Sequence, residues 1–118
     1  MSSTTLAPGE IAAQFVAALN SHDLDTVMRL ASEDTVFEST GPAPDGERYA
    51  GQAAVRRVFT EVLSDPAATF TIEGRPIADD DVVVVRWRYD YTSGHTRGVT
   101  LFTIEHGRIT RNQAYVKG

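Results

Sequence analysis

Hydrophobic positions follow a helical period in the first part of the chain and again after residue 51. Apolar residues between Ile11 and Leu19 recur three and four positions apart, which predicts an amphipathic helix over residues 8–20. The same spacing predicts a shorter helix over residues 23–31 and a third helix over residues 52–63, preceded by Gly51. The chain therefore begins with helices, and a loop-rich segment precedes the third.

A period of two replaces the helical period in the second half of the chain. Apolar and polar residues alternate from residue 67 onward, and Gly, Asp and Ser residues typical of turns divide the pattern into segments. An earlier apolar pair, Val36 and Phe37, ends on the carboxylate of Glu38 just before a loop rich in Gly and Pro. The predicted strands cover residues 34–38, 67–73, 82–92, 96–105 and 108–117.

Helices followed by an antiparallel meander indicate an α+β fold in which the helices cover one face of a curved sheet. Residues 82–85 and 99–104 are apolar at both alternating positions, as in strands that are buried on both faces. Because the helices cover one face, we expect a second copy of the protein to cover the other, giving a homodimer through the sheet. Residues 8–118 are predicted as a single domain after a disordered tail over residues 1–7.

Composition and charge limit the expected partners. The chain has 118 residues, no cysteine and a net charge of −5, and its Lys and Arg residues are dispersed rather than clustered. Nucleic-acid binding needs a basic face, so nucleic acid is not an expected partner. The first residues lack the basic and apolar regions of a signal peptide, and no apolar run approaches the ~20 residues of a membrane span. We therefore expect a cytoplasmic protein without a membrane partner.

Several strings, in their order along the chain, are similar to a known superfamily. The strings "FVAALNSHDLDTVMRLASEDTVFES", "YAGQAAVRRVF" and "GRITRNQAYVKG" together resemble the SnoaL-like branch of the NTF2-like superfamily, which includes ketosteroid isomerases. The resemblance covers nearly the whole chain. It implies a cone-shaped α+β barrel, in which three N-terminal helices pack on a strongly curved antiparallel sheet and enclose a pocket.

The resemblance gives Glu38 the position of a catalytic base. Ketosteroid isomerases hold a general-base aspartate at the end of the first strand, and Glu38 stands at the matching position. Their oxyanion hole uses a tyrosine and a protonated aspartate, whereas the matching positions here hold Phe15 and Thr100. A carboxylate in an apolar pocket has a raised pKa, which suits a general base near neutral pH. The alternative is that Glu38 is a solvated strand end.

Two other branches of the superfamily imply different chemistry. Limonene-epoxide hydrolases use two carboxylates bridged by an arginine, and Glu38, Arg88 and Asp90 form a comparable cluster if the latter two face inward. Alternatively, Arg88 and Asp90 belong to an exposed charged row, because the other side of their strand carries the apolar set. SnoaL-type cyclases carry an acid on the last strand, preceded by a histidine, where this chain has Ala114 and Asn112.

The leading functional hypothesis is a small-molecule enzyme of the isomerase or cyclase type that uses Glu38 in cofactor-independent acid–base chemistry. The alternatives are an epoxide hydrolase-like enzyme using Glu38, Arg88 and Asp90, and a non-catalytic protein that binds a small molecule or dimerises. The expected ligand is a small apolar or weakly polar organic molecule. No metal or cofactor is expected, because the histidines lie in separate predicted turns without ligand spacing. The residues expected to line the pocket are Phe15, Leu19, Met28, Tyr49, Phe59, Trp87, Thr100, Phe102 and Asn112.

Overall fold

The computed structural model describes residues 6–117 of the chain. Within that range the chain forms three helices and a seven-stranded sheet, with the third helix between the second and third strands. None of these helices is long and apolar enough to cross a membrane. The elements are α1 (Pro8–Asn20), α2 (Leu24–Arg29), β1 (Ala31–Glu38), β2 (Arg48–Ala50), α3 (Gln52–Leu63), β3 (Thr69–Ile72), β4 (Ile77–Asp79), β5 (Val82–Tyr91), β6 (Gly94–Glu105) and β7 (Arg108–Val116).

Local capping interactions set the starts of the first two helices. The Glu10 carboxylate accepts a hydrogen bond from the backbone N–H of Ala7 at 2.9 Å. The Asp23 carboxylate accepts from the hydroxyl and the backbone N–H of Thr26, and these two bonds lower the pKa of Asp23. Of the predicted tail, residues 1–5 lie outside the described range, whereas Leu6 packs against the core. Order therefore begins before Pro8.

The predicted α+β fold is confirmed, with two corrections to the sheet. The strand order is β2-β1-β7-β6-β5-β3, with β4 also paired to β5, so the sheet is open rather than a closed barrel. All neighbours are antiparallel except β1 and β7, which run parallel and make the sheet mixed. The sequence pattern missed this pair because it shows where strands occur and not which distant strands lie side by side.

A bulge in β7 changes which residues face the helices. Thr103 of β6 pairs with Arg111, but the next residue, Ile104, pairs with Ile109, so Thr110 is an extra residue on β7. Ile109 is 1% exposed and Asn112 is 6% exposed, although three positions separate them. Because a bulge shifts the alternation of side chains by one residue, the inward positions move from odd to even numbers at this point.

The two faces of the sheet have different surroundings. The inner face, which carries Val83 and Val85, packs against the helices and forms the core, and both of these side chains are fully buried. The outer face carries the alternate residues of the same strand, including Arg86, Arg88 and Asp90. Within residues 6–117 the outer-face residues Val84 and Leu101 are only partly buried and Arg86 is exposed, so the helices do not cover this face.

Candidate functional site

An apolar cavity of about 180 Å³ lies between α1, α3 and the inner face of the sheet. The helices contribute aliphatic and aromatic side chains, the sheet contributes a mixture of aromatic and polar ones, and two residues after β1 border the cavity. The lining residues are Phe15, Val16, Leu19, Phe37, Ser39, Thr40, Val58, Phe59, Val62, Phe70, Val85, Trp87, Tyr89, Thr100, Phe102, Asn112 and Ala114.

Aromatic rings from α1, α3 and the sheet contact one another in the cavity wall. Phe15 meets Phe59 and Phe102 edge to face, with ring centroids 5.7 and 5.4 Å apart. Phe37 contacts Phe59 at 4.9 Å. Edge-to-face and offset ring pairs of this kind contribute about 0.5–1.5 kcal/mol beyond their buried area. The rings hold one another in place, so this part of the wall is preformed.

The chain has one tryptophan, Trp87, and its position in the wall depends on two residues of β6. The indole Nε1–H donates a hydrogen bond of 2.8 Å to the hydroxyl oxygen of Thr100, and both side chains are buried. Gly98 is paired with Trp87, and a Cβ atom on Gly98 would lie 2.9 Å from the indole ring. The ring therefore lies against bare backbone, and the hydrogen bond fixes its orientation.

Asn112 brings a polar group into the apolar wall. Its side chain is 6% exposed and lines the cavity, and within residues 6–117 its amide makes no hydrogen bond to the protein. No side-chain nitrogen or oxygen of the described range is both inaccessible and unpaired. The Asn112 amide is therefore accessible, and the space that it faces is the cavity.

Tyr89 provides the titratable group of the cavity wall. Its ring stacks on Phe70 with centroids 4.4 Å apart and planes 6° from parallel. Burial raises the pKa of the Tyr89 phenol, and the negative charges of Asp65 and of ionised Tyr91 raise it further. Tyr89 is therefore neutral at physiological pH. Among residues 6–117, no three His, Cys, Asp or Glu side chains lie close enough to hold a metal ion.

The structure places most of the expected pocket residues in the cavity wall and two of them elsewhere. Met28 is buried in the core next to α1 and does not border the cavity. Tyr49 lies on β2, stacks on Phe37 with ring centroids 6.0 Å apart and does not border the cavity. The remaining expected residues line the cavity: Phe15, Leu19, Phe59, Trp87, Thr100, Phe102 and Asn112.

Glu38 lies on the outer face, which corrects its expected position in the pocket. Phe37 lines the cavity, and the next side chain on a strand points to the opposite face. The Glu38 Oε1 atom accepts a hydrogen bond of 3.2 Å from Nε2 of Gln113, and Arg48 stands opposite on β2. The carboxylate borders a separate groove of about 520 Å³ that Asp45 also lines. The role of Glu38 as a base stays a prediction.

Arg88 and Asp90 also lie on the outer face and form an ion pair with each other. The Arg88 Nε atom donates to both Asp90 oxygens at 3.0 and 3.2 Å, and the two side chains are 43% and 41% exposed. In the sheet β7 and β6 separate β1 from β5, so roughly 14 Å lies between these strands at ~4.8 Å per spacing. The expected cluster of Glu38 with Arg88 and Asp90 is therefore not formed.

Several wall residues were not predicted from the sequence. Phe37 was missed because Val36 and Phe37 are both apolar, and the alternation gives no direction there. The buried residue that shares its parity, Thr35, is polar, so the sequence carried no signal for the direction of Phe37. Ser39 and Thr40 reach the cavity because the Ser39 N–H donates to the Glu47 carbonyl at 2.9 Å and folds the loop back. That closure has no signature in the local sequence.

The fold and the cavity together define an NTF2-like α+β domain, in which three helices close an apolar space against a curved sheet. A family model described as the SnoaL-like domain matches residues 12–112, which is most of the chain. The chain belongs to this family. No curated protein sequence shows significant similarity to it.

Solved structures with the same fold include one close enough to share the family. An NTF2-like protein of unknown function from Mesorhizobium loti is 33% identical, with a TM-score of 0.87 over 100% of this chain and 97% of that one. An NTF2-like protein of unknown function from Cytophaga hutchinsonii is 15% identical, with a TM-score of 0.82 over 98% and 95%. A ketosteroid isomerase-like protein from Kribbella flavida is 20% identical, with a TM-score of 0.80 over 94% and 78%. The last two show the fold alone.

Proposed function

We propose that the protein binds a small, neutral, mainly apolar organic molecule in the cavity between its helices and the inner face. The supporting observation is the composition of the wall, which is aliphatic and aromatic apart from a few uncharged polar groups. An apolar protein cavity of ~150 Å³ takes up benzene, and this cavity has a comparable volume of about 180 Å³. The volume suits a ligand with a single ring.

The chemistry of the wall favours binding over acid–base catalysis inside the cavity. General acid–base catalysis needs a group whose pKa lies near the working pH. Among the wall residues within 6–117 there is no carboxylate and no imidazole, and the pKa of Tyr89 is raised above its usual value. This composition supports the non-catalytic alternative from the sequence over the isomerase or cyclase hypothesis.

Base catalysis by Glu38 is the second candidate, and it requires a substrate in the adjoining groove. Glu38 and Arg48 border this groove together, which gives it a carboxylate and a guanidinium. Ser39, Thr40 and Ala114 border both the groove and the cavity. A Glu38→Gln variant separates the two candidates, because it removes the base and leaves the cavity wall intact.

Binding is tested with α-methylstyrene, an uncharged one-ring hydrocarbon, followed through the NMR signal of the Trp87 indole N–H. Trp87 reports on the cavity because it lines the wall and is the single tryptophan. We expect a saturable shift in the unmodified protein and at least tenfold weaker binding for Ala114→Phe, whose ring fills the cavity. Gln113→Leu is the matched control, since Gln113 is the neighbouring residue on the outer face. Absence of a saturable shift in the unmodified protein would overturn the proposal.

We also propose that two copies associate through the outer face. This face has an apolar centre formed by half-buried Val84 and Leu101, and Tyr115 beside it is 51% exposed. Charged residues of both signs surround the centre, including Glu38 and Arg111. An apolar centre with a polar border is the usual composition of a protein interface, and a two-fold dimer joins the same surface on both copies.

The dimer is tested by sedimentation equilibrium. Leu101→Glu places a charge at the centre of the outer face, and we expect it to give a monomer. Ala13→Glu adds the same charge on the exposed side of α1 and should leave the dimer unchanged. A monomeric unmodified protein at high concentration would contradict the proposal, as would a dimer that tolerates Leu101→Glu.

A further inference from the structure

We infer that the Asn112 amide and the Thr100 hydroxyl form a polar recognition site in the cavity for a neutral ligand group that both donates and accepts hydrogen bonds, with a carboxamide as the best match. This inference rests on the proposed binding function and names the chemical class of the ligand. It concerns two side chains on neighbouring strands of the inner face, both 6% exposed.

The Asn112 amide is in an environment where an unpaired polar group is costly. Burying an amide without a hydrogen-bond partner is unfavourable, and more than about 90% of buried polar groups in proteins have one. Asn112 is more than nine-tenths buried and its amide makes no hydrogen bond within residues 6–117, but the amide atoms stay accessible through the cavity that they face. A molecule inside the cavity is therefore the partner that the amide is placed to meet.

The Thr100 hydroxyl already accepts one hydrogen bond within the protein, which determines how it can bind a ligand. Its hydroxyl oxygen accepts the indole N–H of Trp87 at 2.8 Å, and the hydroxyl proton is left to donate. Thr100 pairs with Ala114 and Asn112 pairs with Phe102, so Thr100 and Asn112 are diagonal neighbours on one face. Diagonal side chains are roughly 7–8 Å apart, close enough for one ligand group to contact both.

The hydrogen-bonding capacity of the pair selects the ligand group. The Asn112 amide offers N–H donors and a carbonyl acceptor, and Thr100 adds a donor. A carboxamide can pair with the Asn112 amide through two bonds, and its oxygen can accept a third from Thr100. A ketone would leave the Asn112 carbonyl without a donor. A carboxylate would bring an uncompensated charge into an apolar wall, which is strongly unfavourable.

Three probes of nearly the same shape test the inference. Benzamide both donates and accepts hydrogen bonds, acetophenone only accepts, and α-methylstyrene does neither. The dissociation constant of each probe is measured by NMR titration for the unmodified protein and for Asn112→Leu. The cost of removing a probe from water is the same for both proteins, so differences between the probes in the ratio of the two constants report the hydrogen bonds to Asn112. Gln113→Leu, the same change on the outer face, is the control.

We expect Asn112→Leu to weaken benzamide binding about tenfold and acetophenone binding about threefold, as the loss of two bonds or one implies. Binding of α-methylstyrene should not weaken, because Asn112→Leu removes the cost of desolvating an amide that this probe cannot pair with. Equal effects on all three probes, or none on any, would overturn the inference while the binding function stands. If the unmodified protein binds none of the probes, the binding function fails and the inference with it.

A measurement on the unmodified protein covers the case in which Asn112→Leu does not fold. The side-chain NH₂ signals of Asn112 should shift on addition of benzamide and move much less with α-methylstyrene. The Trp87 indole N–H signal should respond to both probes, because the ring lines the cavity whatever the ligand group. A response of Trp87 without any response of Asn112 to benzamide would contradict the inference.

Discussion

The inner and outer faces of the sheet are built from the same strands, but their polar side chains differ in charge and in exposure. On β7, Asn112 faces the cavity and is 6% exposed, while its neighbour Gln113 donates to Glu38 on the outer face. On β5, Trp87 lies in the cavity wall and Arg88 pairs with Asp90 outside. The polar groups of the inner face are neutral and buried, whereas those of the outer face include charged side chains and are more exposed. The comparison shows that the face, rather than the residue type, decides which side chains can meet a ligand in the cavity.

The largest difference between the faces should appear in stability, at neighbouring residues of β6. Phe102→Ala removes a ring that packs on Phe15, and we expect it to lower the free energy of unfolding by about 3–5 kcal/mol. Leu101→Ala, on the half-buried outer face, should cost about 1 kcal/mol. Urea denaturation measures both. If both variants lose the same free energy of unfolding at low protein concentration, the difference between the two faces is contradicted. A loss for Leu101→Ala that grows with protein concentration would support the dimer.

The next largest effect concerns buried and exposed threonines of the same strand. Thr100→Val leaves the Trp87 indole N–H buried without its acceptor, which should cost about 1–3 kcal/mol of unfolding free energy. Thr103→Val changes a residue on the outer face and should stay within about 0.5 kcal/mol. Thermal unfolding with both variants gives the difference. A Thr100→Val protein as stable as the unmodified one would show that the hydrogen bond does not hold the ring.

The charged pair of the outer face should contribute little. Arg88→Ala removes one partner of an ion pair whose side chains are 43% and 41% exposed, and such pairs contribute about 0–1 kcal/mol. We expect binding of α-methylstyrene to be unchanged, because Arg88 lies on the side of the sheet away from the cavity. Calorimetric titration compares the variant with the unmodified protein. A large loss of binding would mean that a change on the outer face affects the cavity, which would contradict the separation of the two faces.

The smallest effect is a difference in alkaline stability between an inner and an outer tyrosine. The pKa of Tyr89 is raised in the folded protein, so its contribution is fully present below the ordinary value of ~10. That contribution is lost as the pH rises through the raised pKa. Tyr89→Phe should therefore lose less stability between pH 9 and 11 than the unmodified protein does. Tyr115→Phe, the same change at an exposed tyrosine of the outer face, is the matched control.

The sequence predicted the helices and most strands because their periods reflect burial on one side of each element. It also predicted seven of the seventeen wall residues, including Phe15, Phe59 and Phe102, which occupy buried positions of regular elements. It did not predict the parallel pairing of β1 with β7, which depends on contacts between distant segments. The bulge at Thr110 was equally hidden, and it is this extra residue that turns Asn112 inward.

The sequence located the expected catalytic residues on strands, but it did not show which face of the sheet each side chain occupies. Glu38 was placed correctly at the end of β1, but a strand end has two sides, and the residue next to it takes the inner one. For Arg88 and Asp90 the alternation of β5 already favoured the outer face, and the structure agrees with that alternative. Resemblance to a family therefore indicated which strands carry these residues, and it did not indicate which face of the sheet each side chain occupies.

The central claim is that ligands meet the inner face, and a chemical-shift map of both faces tests it most directly. The backbone and side-chain signals are recorded with increasing α-methylstyrene. We expect saturable shifts concentrated at Trp87, Thr100 and Asn112, with Glu38 and Arg88 unmoved. Shifts concentrated at Glu38 and the groove beside it, with Trp87 unmoved, would contradict the account.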